Sequence, residues 1–173
     1  VPIILKKFIK AMLSLNCLQN EGTFRTSGDN FIENQTVEDI NNGYWEEPTI
    51  LVTTIASTIK RFLRELQDPL IPNYIIEMSD QQPPPFKIIQ EINQLPPQNK
   101  ETLMYFVGFL QQIADNHKVN KMNSSNLAIS LGNMFNSKIV SNDPMKYKQI
   151  LDKMNFIVGV LINHWNTSPI YDL

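Results

Sequence analysis

The sequence holds one cysteine, two histidines and six glycines in 173 residues. No apolar run approaches the roughly 18 residues that a membrane-spanning helix needs. Each scarcity excludes something. Cys17 has no second cysteine to pair with and no metal-type spacing to His117 or His164, so a reducing compartment is the expectation. Neither histidine has a serine or cysteine nucleophile pattern beside it, which leaves a hydrolytic triad without a basis. The glycines form neither a G-x-G-x-x-G nor a G-x-x-x-x-G-K sequence, and the acidic residues show no metal spacing. The chain is not expected to bind a nucleotide or a metal by itself. Fifteen Lys and Arg against seventeen Asp and Glu leave a net charge of -2. That provides no global field for nucleic acid or an anionic membrane, so any anion site must be local. Val1 to Lys10 has no signal-peptide layout. The expected setting is cytoplasmic, with no nucleic-acid partner and no direct membrane insertion.

What is present is a helical pattern. At 42% hydrophobic, residues 1–173 suffice for one domain with a sizeable core. The abrupt opening on Val1-Pro2 suggests a domain cut from a longer, multidomain protein. Ile4, Phe8, Met12 and Leu5, Ile9, Leu13 form two rows at spacing four, opposite Lys6, Lys7 and Lys10, which predicts an amphipathic helix ending near Asn16 to Asn20. Ser27 or Asp29 can cap a second helix carrying Phe31, Ile32, Val37 and Ile40, stopped by Asn41-Asn42-Gly43. Pro48 and Thr49 begin a third, with a buried stripe of Leu51, Ile55, Ile59, Phe62, Leu63 and Leu66, closed by Pro69 and Pro72.

Asn73 to Met78 reads as a short helix and Asp80 to Pro85 as a stiff polyproline-type joint. Phe86, Ile89, Ile92 and Leu95 mark the next helix. Pro96-Pro97 ends it and opens another with Leu103, Phe106, Leu110 and Ile113 inward, whose last turn is Asp115-Asn116-His117. Ser124 or Ser125 can cap a helix through Leu127, Leu131 and Met134. Pro144 begins the last, through Leu151, Met154, Val158, Leu161 and Trp165. No period-two segment bounded by hairpin turns and no internal repeat appears. The expected class is all-α, a single-domain bundle of about seven to eight helices.

Three stretches could carry chemistry. Glu21-Gly22-Thr23-Phe24-Arg25-Thr26-Ser27-Gly28 sets one arginine between an aromatic residue and two glycines. Both glycines can take positive φ, so the chain can turn on either side and push Arg25 outward, while Phe24 fastens the loop to the core. A guanidinium presents a planar fork of donors that can bridge phosphate oxygens. In Lys60-Arg61-Phe62-Leu63-Arg64-Glu65-Leu66, Lys60 and Arg64 stand four apart on one helix face. That like-charge pair costs roughly 0.2–0.5 kcal/mol in an isolated helix and invites an acidic partner, whereas Arg61 and Glu65 can satisfy each other. A solvated basic edge is the plainer alternative. In Asn120 to Ala128, Asn126 offers a donor and an acceptor near a helix start. It can meet the backbone of another chain or hold a neighbouring loop in place, and a purely local role at the helix start is the plainer alternative.

In this order and separation the three stretches resemble the Rho-family GTPase-activating (RhoGAP) domain. The family shows E-G-[apolar]-F-R-x-[SP]-G at the first stretch. At the second it has L-K-x-F-L-R-E-L-P-x-P-L, which corresponds here to Ile59 through Leu70. At the third it has K-M-x-x-x-N-L-A-x-x-[FL]-G-P-N-L, matched by Lys121-Met122, Asn126-Leu127-Ala128 and Leu131-Gly132. Val1-Pro2-Ile3 is similar to the V-P-x before the family's first long helix. Thr23, Gln67 and Asn133-Met134 depart from the pattern, the last near the expected partner surface.

The resemblance implies that Arg25 is an arginine finger, inserted into a Rho-family small GTPase to accelerate GTP hydrolysis. Lys60, Arg64, Asn126, Pro69 and Met122 would then belong to the GTPase-binding surface. Lys60 and Arg64 would either hold an acidic switch surface or brace the arginine loop, and Asn126 would bond a switch backbone. GTP, Mg²⁺ and the water-orienting glutamine would all be the partner's. The domain would be a monomer with no cofactor and no complete active site of its own. A GAP-fold adaptor that binds without stimulating hydrolysis is the alternative, and a helical scaffold working through Pro83-Pro84-Pro85 a more distant one.

Overall fold

The computed structural model describes residues 1–44, 51–136, 138–139 and 141–167. Among these it contains nine α-helices, three short 3-10 turns and no strand. They are α1 (Ile3–Ser14), α2 (Asn30–Asn41), α3 (Val52–Arg64), α4 (Asn73–Met78), α5 (Pro85–Asn93), α6 (Pro97–Asp115), α7 (His117–Asn120), α8 (Ser124–Leu131) and α9 (Pro144–His164). The class is the expected one. The additional helix is the four-residue α7, which follows α6 across Asn116 where only a C-terminal turn was expected.

The long helices α6 and α9 organise the core. Leu103, Phe106, Leu110 and Ile113 of α6 are all fully buried, as their spacing predicted. α9 packs against α4, α5, α6 and α8, and α1 packs against α3. Proline is the first residue of α5, α6 and α9, where its missing N–H costs nothing and its fixed φ suits the first turn.

Several local expectations needed correction. Asn123, not Ser124 or Ser125, caps α8, whereas α9 begins at Pro144 as expected, capped by Asp143 through the N–H groups of Met145 and Lys146. Asp80 to Pro85 is not a continuous polyproline joint. Ser79–Gln81 forms a 3-10 turn, Gln82 is left-handed, and Pro85 is already helical. In α5 the buried residues are Ile88 and Ile92, with buried Leu95 just past its end; the row starts one residue off the expected register, and Phe86 stands out in solvent. Leu51 is likewise exposed, because it caps α3 and lies outside the helical stripe. The expected start of α3 at Pro48-Thr49 lies outside the described residues.

α2 departs furthest from a core helix. It contains no buried residue, and Phe31 is 78% exposed. Its apolar residues are few, and neighbours such as Phe31 and Ile32 cannot share one helix face. Ile40 is partly buried against the core, and polar contacts also fasten α2 to α3. Asp29 caps it through Phe31 and Ile32 N–H. Arg61 of α3 reaches Asn34 at 2.7 Å and Glu33 at 3.8 Å while also bonding Glu65 at 3.0 Å. The pairing of Arg61 with Glu65 is thus as expected, and the same guanidinium additionally fastens α2.

Candidate functional site: the Arg25 loop

The loop between the first 3-10 turn (Cys17–Gln19) and α2 is built around a strained residue. Phe24 has φ +71°, a left-handed conformation that a bulky residue avoids. Its ring is fully buried and meets Phe106 and Phe109 edge-on, at centroid distances of 5.9 and 6.2 Å. Core packing of that kind outweighs the backbone strain. With the ring drawn inward, the next residue turns outward.

The backbone before Arg25 is closed by hydrogen bonds. Gly22 (φ +74°) accepts from the N–H groups of both Arg25, at 2.8 Å, and Thr26, at 2.9 Å. A Cβ on Gly22 would come within 2.8 Å of Thr26 Oγ1 and 3.4 Å of an Arg25 guanidinium nitrogen. The positive φ therefore favours glycine there, and a side chain would also have to displace Thr26 Oγ1. Thr23, the polar departure from the family pattern, is fully buried, and its hydroxyl is shared between the carbonyls of Cys17 and Asn20. The polar residue is accommodated because it has partners.

After Arg25 the expectation for Gly28 is corrected. Its φ is not positive. It is glycine because the chain passes so close to α3 that a Cβ would lie 2.4 Å from Thr54 Cα. Gly28 N–H donates to Ser57 Oγ at 2.9 Å and Asp29 N–H to Thr54 Oγ1 at 3.3 Å. Both ends of the loop are thus tied down, whereas the Arg25 side chain is 51% exposed and lies 3.9 Å from exposed Glu21. The tip offers a cation to solvent from a fixed base.

Lys60 meets this loop directly. Its Nζ donates to the Phe24 carbonyl at 3.1 Å, so of its two expected roles the structure displays the brace. Burial pushes its pKa below the ordinary 10.5, Glu33 opposes that shift, and Arg64 adds to it. Glu33 is thus an acidic neighbour of Lys60, besides its contact with Arg61. Because Lys60 binds fewer protons folded than unfolded between its lowered pKa and 10.5, stability should rise with pH through that window. Below the window the full cost of burying the charge is present. Urea titrations from pH 7 to 10.5 should show wild type gaining stability relative to Lys60→Met, and parallel curves would contradict the assignment.

The third stretch closes against the first. Gly22 N–H donates to the Asn120 carbonyl at 2.9 Å. Lys121 is left-handed (φ +62°), and Asn126 Nδ2 holds its carbonyl at 2.9 Å. This contact of Asn126 is local to the start of α8, five residues back along the chain. Arg64 is exposed one turn beyond Lys60. Pro69, half-buried, accepts a 3.4 Å hydrogen bond from Asn99. Met122 is fully buried, a correction to its place among surface contacts: its side chain packs the core. In the departing segment, Asn133 is exposed and Met134 buried. Asn120 itself, wholly buried, carried no sequence signal that set it apart from its neighbours.

The chain is thus an all-helical domain that presents one half-exposed arginine from a loop pinned at both ends. The RhoGAP domain model matches residues 2–138. The Dictyostelium discoideum Rho GTPase-activating protein gacY is 36% identical over 75% of this chain and 19% of its own length. GTPase activating protein homolog 3 of the same organism is 32% identical over 99% of this chain and 13% of its own. Drosophila melanogaster Rho GTPase-activating protein 68F is 30% identical over 95% of this chain and 36% of its own. The chain therefore spans about a third or less of the length of these relatives. Among solved structures, human Rho GTPase activating protein 15 superposes with a TM-score of 0.83 at 20% identity, covering 95% of this chain and 82% of that one. The BH domain of GRAF, the GTPase regulator associated with focal adhesion kinase, superposes at 0.75 and 25% identity, covering 96% and 94%. This chain belongs to the RhoGAP domain family.

Proposed function

We propose that this domain docks on a Rho-family small GTPase in its GTP state and inserts Arg25 to accelerate hydrolysis. The single observation that carries this reading is the Arg25 loop, with its backbone held by Gly22, Lys60 and the Gly28 contact while the guanidinium stays half exposed. In phosphoryl transfer, charge shifts on the phosphoryl oxygens and toward the leaving bridge oxygen. A preorganised cation brought in from outside stabilises that distribution and helps exclude water. GTP, Mg²⁺ and the glutamine that orients water belong to the partner in this scheme. Lys60 supports the loop backbone, Arg64 contributes exposed positive charge that favours an acidic switch surface, and Asn126 shapes the adjoining turn.

The test is single-turnover GTP hydrolysis with excess domain over a panel of GTP-loaded Rho-family GTPases, with binding measured alongside. Acceleration of at least one member by three or more orders of magnitude is expected. Binding without acceleration across the panel would leave the adaptor reading in its place.

A further inference from the structure

We propose that Asn120 is the positioning residue of the arginine loop, setting the register of Gly22 to Arg25 from across the fold. The inference rests on the reading of Arg25 given above. Asn120 is fully buried, and its side chain is saturated. Nδ2 donates to Leu18 O at 3.0 Å and to Ile113 O at 2.8 Å, while Oδ1 accepts from Met122 N–H at 2.8 Å. Its backbone carbonyl is the acceptor for Gly22 N–H. One residue thus joins the 3-10 turn that leads into the arginine loop, the end of α6, the entry to α8 and the loop itself.

The chemistry calls for asparagine. Two donors and one acceptor on a short planar amide match two carbonyls and one N–H. Aspartate would face both carbonyls with no donor and bury a charge. The chain of dependence to the guanidinium is short, because Gly22 donates its N–H to the Asn120 carbonyl on one side, while its own carbonyl accepts from the N–H groups of Arg25 and Thr26 on the other. Beyond Asn120, the left-handed Lys121 and the Asn126 bond to its carbonyl fix the direction in which the Asn120 carbonyl points. If Asn120 lets go, the acceptor that seats Gly22 moves, and Arg25 moves with it. A displacement of about 1 Å in a catalytic group can cost on the order of 100-fold in rate.

Asn136 provides a matched comparison. It too is a buried asparagine with a saturated amide, bonded to Ile71 O, Asn73 Oδ1 and Lys138 N–H, none of them in the arginine loop. In single-turnover assays at saturating domain, well below the melting temperature of every variant, Asn120→Ala should lower the saturating rate by about 10- to 100-fold. The half-saturating concentration should change little. Asn136→Ala should lose comparable thermal stability and keep its rate. In an Arg25→Ala background, Asn120→Ala should add no further loss, since the residue acts through the arginine. Amide hydrogen exchange supplies a readout independent of activity: Gly22 and Arg25 N–H should lose protection in Asn120→Ala beyond what global stability accounts for.

Equal rates for the two asparagine variants, or unchanged protection at Gly22 and Arg25, would overturn the proposal. If the alanine variant does not fold, Asn120→Ser, which keeps one donor, takes its place. Loss of the fold in both would assign Asn120 to global stability alone and also overturn it. Should wild type accelerate no GTPase, the exchange measurement still decides the positioning claim, so the two failures stay separate.

Discussion

Arg25→Ala should reduce stimulated GTP hydrolysis by about three orders of magnitude or more, roughly 4 kcal/mol of barrier, while leaving the helical circular dichroism and melting temperature of the domain unchanged. The stability half of the expectation follows from the site. The side chain is 51% exposed, and its contact with Glu21 at 3.9 Å joins two solvated groups, an arrangement worth little to the fold. Much of the binding should survive, because a finger that acts on charge developed in the transition state leaves the ground-state complex largely intact. Single-turnover rates at saturating domain, with affinity for GTP-loaded partner measured in parallel, separate the terms. Undiminished acceleration by the variant would remove Arg25 from the mechanism.

Phe24→Ala, one residue away, should behave in the opposite sense and cost about 3–5 kcal/mol of folding stability. Phe24 is fully buried against Phe106 and Phe109. Alanine would leave a cavity there and keep the left-handed backbone without the packing that sustains it. Since domains of this kind have about 5–15 kcal/mol in total, the loss is a large fraction. Phe31→Ala is the internal control. The same deletion at a ring that is 78% exposed should change stability by less than about 0.5 kcal/mol. Urea midpoints for the pair measure this directly, and similar shifts in both would mean that the loop is not anchored through Phe24.

Much of the architecture was legible because helix signals are local. Spacing three and four placed the buried faces of α1 and α6, and proline marked the starts of α6 and α9. The misreadings share a cause: periodicity does not say which of two adjacent rows faces inward. In α5 the spacing pointed to the row containing Phe86, whereas the core takes the one containing Ile88. The Arg25 loop was legible as a motif, yet its mechanics were not. Nothing near Phe24 announces a positive φ, the requirement at Gly28 comes from α3 passing beside it, and the amide of Asn120 bonds Leu18 from 102 residues away. These are properties of tertiary proximity, which no local window contains.

The crossing of Gly28 over Thr54 has a bearing on how disturbances spread. A helix with no fully buried side chain, such as α2, should open at lower cost than the core helices, and its amides should exchange earlier. The backbone contact at Gly28 acts as a bulkhead between that breathing segment and the arginine. Fraying that begins near Phe31 must break the Ser57 and Thr54 bonds before it reaches Thr26. Opening of α2 would therefore stop at this crossing and leave the geometry of the Arg25 loop in place.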